Sequence, residues 1–188
     1  GYAVRASVRS VADPARTAHL AGLPGLELIE LEARDATQFE AATRDIDVLY
    51  HAAATYAFYT GSVEKDASMV RDSVEGVENA MRSAAKSGVK KVVLTSSIVT
   101  LPLRRRGQPP STEADWNTDL RVPYFRAKTL AEQTAWRLAE ELGVKLVTVL
   151  PAAIGGSGFV RRTATTDFFD GVMLGSMKMG APDWVYPY

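Results

Sequence analysis

Val89-Lys90-Lys91-Val92-Val93-Leu94-Thr95-Ser96-Ser97 is the stretch on which the fold turns. Its apolar residues stand side by side instead of alternating with polar ones, and two of the three at its centre are β-branched. That pattern reads as a strand covered on both faces, the kind found inside parallel sheets. It ends in three consecutive hydroxyls. Four other runs share its character: Ala3 to Val8, Leu26 to Leu31, Ile46 to Tyr50 and Val144 to Leu150.

Helix-like segments separate these runs. Asp13-Pro14 supplies an N-cap with proline at the first helical position, and Gly22 is the expected stop of that helix. Asp35 caps a second short helix that carries Phe39 and Ala42. Val70, Val74, Val77, Met81 and Ala84 step along one helical face, and Gly88 ends it. A further helix from Lys128 to Gly143 presents Ala131, Leu138 and Leu142 to a core. Strands alternating with helices imply an α/β protein with right-handed crossovers, a doubly wound parallel sheet of Rossmann-like type. The chain starts at Gly1-Tyr2 without Met and enters a strand at once, which predicts that a first βα unit precedes it. After Pro151 the loop Ile154-Gly155-Gly156-Ser157-Gly158 gives way to Gly, Met and aromatic residues. The division expected is a dinucleotide-binding domain over 1–154 and the start of a substrate-binding lobe over 155–188.

Bulk composition removes several function classes. With 188 residues, 46% hydrophobic and 23% charged, one buried core is the default. Lys plus Arg and Asp plus Glu stand at 22 each, so net charge gives no drive toward nucleic acid or an anionic membrane surface. Absence of cysteine excludes disulfides, a thiolate nucleophile and Cys-ligated zinc within these residues. Two histidines, His19 and His51, are too few for a His-based site, and no metal is expected. No apolar run reaches the length of about 18 residues needed for a membrane span, and the start does not read as a signal peptide. The expected setting is cytoplasmic, the expected partner a small carbonyl or alcohol, and a homodimer is the one assembly left open.

Tyr124-Phe125-Arg126-Ala127-Lys128 places a phenol and an ammonium four residues apart at the start of a helix, hence on one face. In a chain with seven Tyr and seven Lys, chance gives such a pair about one time in four, so its weight comes from its neighbours. Thr95-Ser96-Ser97 ends a buried-type strand, and parallel α/β sheets place ligands at the carboxyl ends of strands. The plainer reading is that these hydroxyls merely end the strand and cap the next turn of chain. Chemically, Ser97, Tyr124 and Lys128 form a coherent catalytic set. An ammonium at about 5 Å in an effective dielectric of about 20 contributes about 3 kcal/mol, enough to bring a phenol down from about 10 to about 8. Ser97 would hold a substrate oxygen, Tyr124 would move its proton, and Lys128 would tune Tyr124 while bonding a cofactor ribose.

These residues resemble the extended short-chain dehydrogenases, in particular the dihydroflavonol-reductase-like branch, and the resemblance runs through the chain in order. Val4 to Arg9 is similar to that family's second strand, Leu28 to Asp35 to its third, and Asp47 to Ala54 to its fourth. Val93 to Ser97, Tyr124 to Lys128 and Leu150 to Gly155 complete the series. The resemblance implies that Ser97 is catalytic and Ser96 structural. It also implies that Glu32 and Ala33 line an adenine, that Ala52, Ala53 and Ala54 pass beneath the cofactor, and that Pro151, Ala152, Ala153 and Ile154 abut a nicotinamide. Thr166 would reach the diphosphate side, and His51 would face the packing instead of the substrate. The family's Gly-rich, pyrophosphate-holding turn is expected before Gly1.

Cofactor choice turns on Arg9. The residue just past the second strand of such domains meets the adenosine ribose, where an acid bonds the 2′-hydroxyl and an Arg favours a 2′-phosphate. Arg9, with Arg16 in the next helix, therefore points to NADP(H) in preference to NAD(H). The activity implied is reduction of a ketone or aldehyde to an alcohol. Two other functions use the same frame: a nucleotide-sugar epimerase or dehydratase with retained NAD, and a non-catalytic dinucleotide sensor. Plant flavonoid reductases usually carry an Asn shortly after the active-site Ser, whereas Ile98-Val99-Thr100-Leu101-Pro102-Leu103 stands here. Arg104-Arg105-Arg106 reads as a solvated turn before it reads as a grip for an acidic substrate.

Overall fold

The structure is a computed structural model that describes residues 1–20, 22–55, 57–58, 60–104, 107–156 and 162–176. Its elements run β1 (Val4–Val8), α1 (Pro14–Thr17), β2 (Leu26–Glu30), α2 (Ala36–Ala42), β3 (Val48–His51) and α3 (Val63–Lys86). After these come β4 (Lys91–Thr95), a 3₁₀ turn (Ile98–Thr100), α4 (Pro123–Leu142), β5 (Leu146–Val149) and α5 (Ala164–Met173). Each of the five expected strands is present.

The helix signals act largely as the residue types dictate. Asp13 accepts a hydrogen bond from the Ala15 amide and Asp35 one from the Gln38 amide, both at 3.0 Å. Gly143 closes α4 in the left-handed region at φ 67°, and Gly88 follows α3 at φ 68°, backbone that other residues adopt only with strain. Asp35→Ala should destabilise the fold by about 1 kcal/mol, the usual worth of an N-cap carboxylate; urea unfolding measures it, and an unchanged midpoint would refute the capping role.

Three boundaries depart from the sequence expectation. α1 ends at Thr17, well before Gly22, because the chain tightens into i→i+3 bonds from the Leu20 amide to Thr17 and from the Leu23 amide to Leu20. β2 stops at Glu30 and does not run on to Asp35: Leu31 makes the last bond to the Val8 carbonyl, and the Glu32 amide turns to the Gln38 side chain at 2.9 Å. α4 begins at Pro123, earlier than Lys128, since proline at the first helical position needs no amide partner. Tyr124 is therefore held within the helix's first turn.

The strands are parallel throughout, but their ladder is not continuous. β1 pairs with β2, and β3-β4-β5 form a second sheet in that order. The single sheet expected from the alternation is interrupted between β1 and β3, because no strand among the described residues pairs with those two edges. Side chains join the two parts instead. Arg5 on β1 donates to the carbonyls of Ala42 and Arg44 at 3.0 and 2.9 Å, and Asn79 on α3 donates to the Ala33 carbonyl at 3.1 Å. The Ala33 segment also lies close to α3 at Gly76, where an added Cβ would make ordinary contact with Ala33 Cβ at 3.5 Å.

The core lies on one face of the three-stranded sheet. Val92 and Leu94 of β4 pack with Val77, Met81 and Ala84 of α3 and with Ala131, Ala135 and Leu138 of α4. The register sets Leu49 beside Val92 and Leu146 on this face. It also sets Tyr50 beside Val93 and Val147 on the other, where Tyr50 is 73% exposed and Val147 45%. No helix among the described residues is long and apolar enough to cross a membrane.

Candidate functional site

Parallel strands deliver their carboxyl ends to one edge of each sheet, and the sequence-predicted residues gather there. Arg9 follows β1, Glu32 and Ala33 follow β2, Ala52 to Ala54 follow β3, Ser96 and Ser97 follow β4, and Pro151 to Ile154 follow β5. The ends of β4 and β5 are tied together: the Ser96 amide donates to the Val149 carbonyl at 2.8 Å and the Ile98 amide to the Pro151 carbonyl at 3.1 Å. Arg9, Glu32, Ala52 to Ala54 and Ala152 to Ile154 are exposed, while Ala33 is half-buried against α3.

Ser97 leaves β4 and caps the 3₁₀ turn, its hydroxyl accepting from the Val99 amide at 3.4 Å. That turn is fixed from a distance by Asn117, whose side chain donates to the Val99 carbonyl at 2.9 Å and whose amide donates to the Thr100 carbonyl at 2.7 Å. Val99 packs with Tyr124, Ala127 and Met69 in one buried cluster, and the Phe58 ring meets Tyr124 edge-on at 5.7 Å. One turn further along α4, Lys128 donates from Nζ to the Thr95 carbonyl at 3.1 Å. The helix thus places Tyr124 against the turn that Ser97 opens, and anchors Lys128 two residues before Ser97. Burial lowers the Lys128 pKa, and the charge of Glu132 works against that fall.

A cavity of about 20 Å³ lies beneath this group, lined by His51, Ala53, Thr95, Ser96, Lys128 and Glu132 among others. It is large enough for one water. His51 is buried with its ring 6.0 Å from that of Phe39. Its pKa is lowered to about 4, first by burial and then by the Lys128 charge, so near neutrality it is an uncharged packing residue, as the resemblance implied. Ser96 is not free to act on a substrate: its hydroxyl donates to Glu132 Oε2 at 2.5 Å inside the protein.

Glu32 accepts from the Arg34 amide and guanidinium, both at 3.4 Å. Thr166 spends its hydroxyl on the cap of α5, accepting from the Thr163 amide at 2.7 Å and donating to the Thr163 carbonyl at 2.9 Å. It also lines a cavity of about 300 Å³ with Gly155, Gly156, Phe169 and Asp170. Arg104 pairs with Asp115 at 2.6 Å, which makes it part of a loop fastening. The side chain of Arg16 lies outside the described residues, as do Arg105, Arg106, Ser157 and Gly158. Sequence reasoning passed over Glu132 and Asn117. A glutamate four residues after Lys128, on the same face as buried Ala131 and Ala135, was the available signal for the first; Asn117 sits in a loop with no pattern to single it out.

Residues 1–174 match the NAD dependent epimerase/dehydratase family. Tetraketide alpha-pyrone reductase 1 of Arabidopsis thaliana is 34% identical over 168 residues, which are 83% of this chain and 51% of that protein. Dihydroflavonol 4-reductase of Zea mays is 34% identical over 170 residues, covering 83% of this chain and 47% of that enzyme. The crystal structure of gox2253 superposes with a TM-score of 0.77 at 28% identity, over 92% of this chain and 51% of that one. The chain therefore spans about half the length of the relatives it matches. Matched over residues 1–174 and folded as parallel strands alternating with helices, the chain belongs to the NAD dependent epimerase/dehydratase family.

Proposed function

We propose that this chain is the dinucleotide-binding and catalytic part of an NADP(H)-dependent oxidoreductase that interconverts a ketone or aldehyde and its alcohol. The observation that carries the reading is α4 itself, which turns Tyr124 and Lys128 inward at the end of β4 and hangs Lys128 on the Thr95 carbonyl beside Ser97. That reductases recur among the relatives supports it.

Chemically the residues present fit a dinucleotide. Small side chains at 52–54 and 152–153 leave the strand ends open to a flat ligand, and Arg9 stands exposed where the adenosine ribose would lie. When bound, the nicotinamide supplies or takes up the hydride. Pro151 to Ile154 would abut its ring, Glu32 and Ala33 would meet the adenine, Thr166 would approach the diphosphate, and Lys128 would bond the ribose. Ser97 would polarise the substrate oxygen as a hydrogen-bond donor. Tyr124 would give that oxygen its proton on reduction and remove it on oxidation, with the Lys128 ammonium lowering the cost of the phenolate. On the substrate side, the cavity beside Gly155 and Phe169 has the size and partly apolar lining of a small-molecule pocket, which supports reading 155–188 as the beginning of a substrate lobe. Assay of the protein with a panel of ketones and aldehydes, using NADPH and then NADH, tests the proposal; no turnover with any of them would overturn it.

Arg9 decides between this and the second reading that the family name itself carries, an epimerase or dehydratase that keeps NAD. A planar guanidinium makes paired, charge-assisted bonds to a 2′-phosphate. Arg9→Ala should weaken NADPH binding by about 1.5 kcal/mol, roughly tenfold, and leave NADH nearly unaffected. Equal losses in calorimetry with the two cofactors would favour the epimerase or dehydratase.

A further inference from the structure

Glu132 is 4% exposed, and burying a carboxylate is costly unless its oxygens find donors. The donor here is the Ser96 hydroxyl at 2.5 Å, the short spacing of a charge-assisted bond. Ser96 immediately precedes Ser97, and Glu132 comes one helical turn after Lys128, so the pair joins the strand end to the helix that carries the rest of the site. Both Lys128 and Glu132 line the same small cavity. Besides Ser96 and the alanines at 53, 54 and 131, the groups facing it are His51 from β3, Ser73 and Val77 from α3, and Leu94 and Thr95 from β4. His51 is uncharged near neutrality, and none of the α3 and β4 residues ionises in that range. Glu132 is thus the one carboxylate among the residues lining this cavity.

Resting on the proposed roles of Tyr124 and Lys128, we propose that Glu132 is a positioning residue, the buried counter-charge that keeps Lys128 an ammonium, with Ser96 holding its carboxylate in place. Burial drives Lys128 toward its neutral form and Glu132 opposes this. A neutral Lys128 would no longer stabilise the Tyr124 phenolate, so the pH range of proton transfer depends on a residue that touches neither substrate nor cofactor.

The test is a titration of Lys128 by NMR in protein labelled with ¹³Cε-lysine, assigned with Lys128→Arg. In Glu132→Gln, which keeps the shape and can still accept from Ser96, the Lys128 midpoint should fall by about one pH unit or more, a tenfold change in its ionisation. Glu132→Asp, which keeps the charge, should bring most of it back. An unchanged midpoint in a folded Glu132→Gln protein, or identical behaviour of the Gln and Asp variants, would overturn the proposal, because a merely structural Glu132 would alter stability and leave Lys128 alone. In active protein the alkaline limb of the rate profile should move with Lys128. A moved Lys128 with an unmoved rate profile would uphold the counter-charge and sink the proton-donor reading instead.

Discussion

Tyr124→Phe should lower turnover about 100-fold or more, about 3 kcal/mol of transition-state stabilisation, while leaving cofactor binding within about twofold. The ring is buried among Met69, Val99 and Ala127 and braced edge-on by Phe58. Phenylalanine therefore fills the same space, and the substitution isolates the hydroxyl from the packing. Steady-state rates on a reducible carbonyl, with cofactor affinity by fluorescence, make the measurement. Near-normal turnover would remove Tyr124 from the mechanism and with it the reason for the Lys128 arrangement.

A second large effect belongs to His51 and is one of stability. Its pKa is lowered from 6.5 to about 4 in the folded chain, by burial first and by the Lys128 charge second. Below 6.5 the unfolded chain takes up a proton that the folded one refuses, so stability attributable to this residue is complete above about pH 6.5 and is lost as the pH falls toward 4. The interval corresponds to about 3 kcal/mol. His51→Leu, close in volume, should flatten that part of the dependence. Urea unfolding of both proteins at several pH values between 7 and 4 gives the difference, in which the surface carboxylates cancel. Parallel curves would mean that His51 takes up its proton without leaving the fold.

The strands and the main catalytic candidates were legible because the physics behind them is local. A β-branched run such as Val92-Val93 has one natural place, a covered strand, and the spacing from Tyr124 to Lys128 fixes a shared helical face whatever surrounds it. Boundaries were less legible where hydrogen bonds to distant residues decide them: Glu32 leaves the strand because Gln38 offers its amide group an acceptor, and nothing in residues 28–35 announces that. The same holds for Glu132. Four positions after Lys128 it reads as one more surface acid, and only the meeting with Ser96, 36 residues back in the chain, makes it part of the site's interior. The break between β1 and β3 was beyond local patterning, since hydrophobic runs report that a strand is covered and not which strand it pairs with.

The break also defines what would join the two ladders into one sheet. β1 and β3 each expose a row of amides and carbonyls along an edge with no strand beside it among the described residues, and the sheet face next to β3 shows Tyr50, Val147 and Val149 to solvent. Natural sheets blunt such edges with charges, bulges or covering segments. Here Arg5 is turned away toward Glu27 and the carbonyls of Ala42 and Arg44, and Tyr50 adds apolar surface instead of a charge. A parallel strand entering between the two edges would satisfy the open amides and carbonyls of both at once.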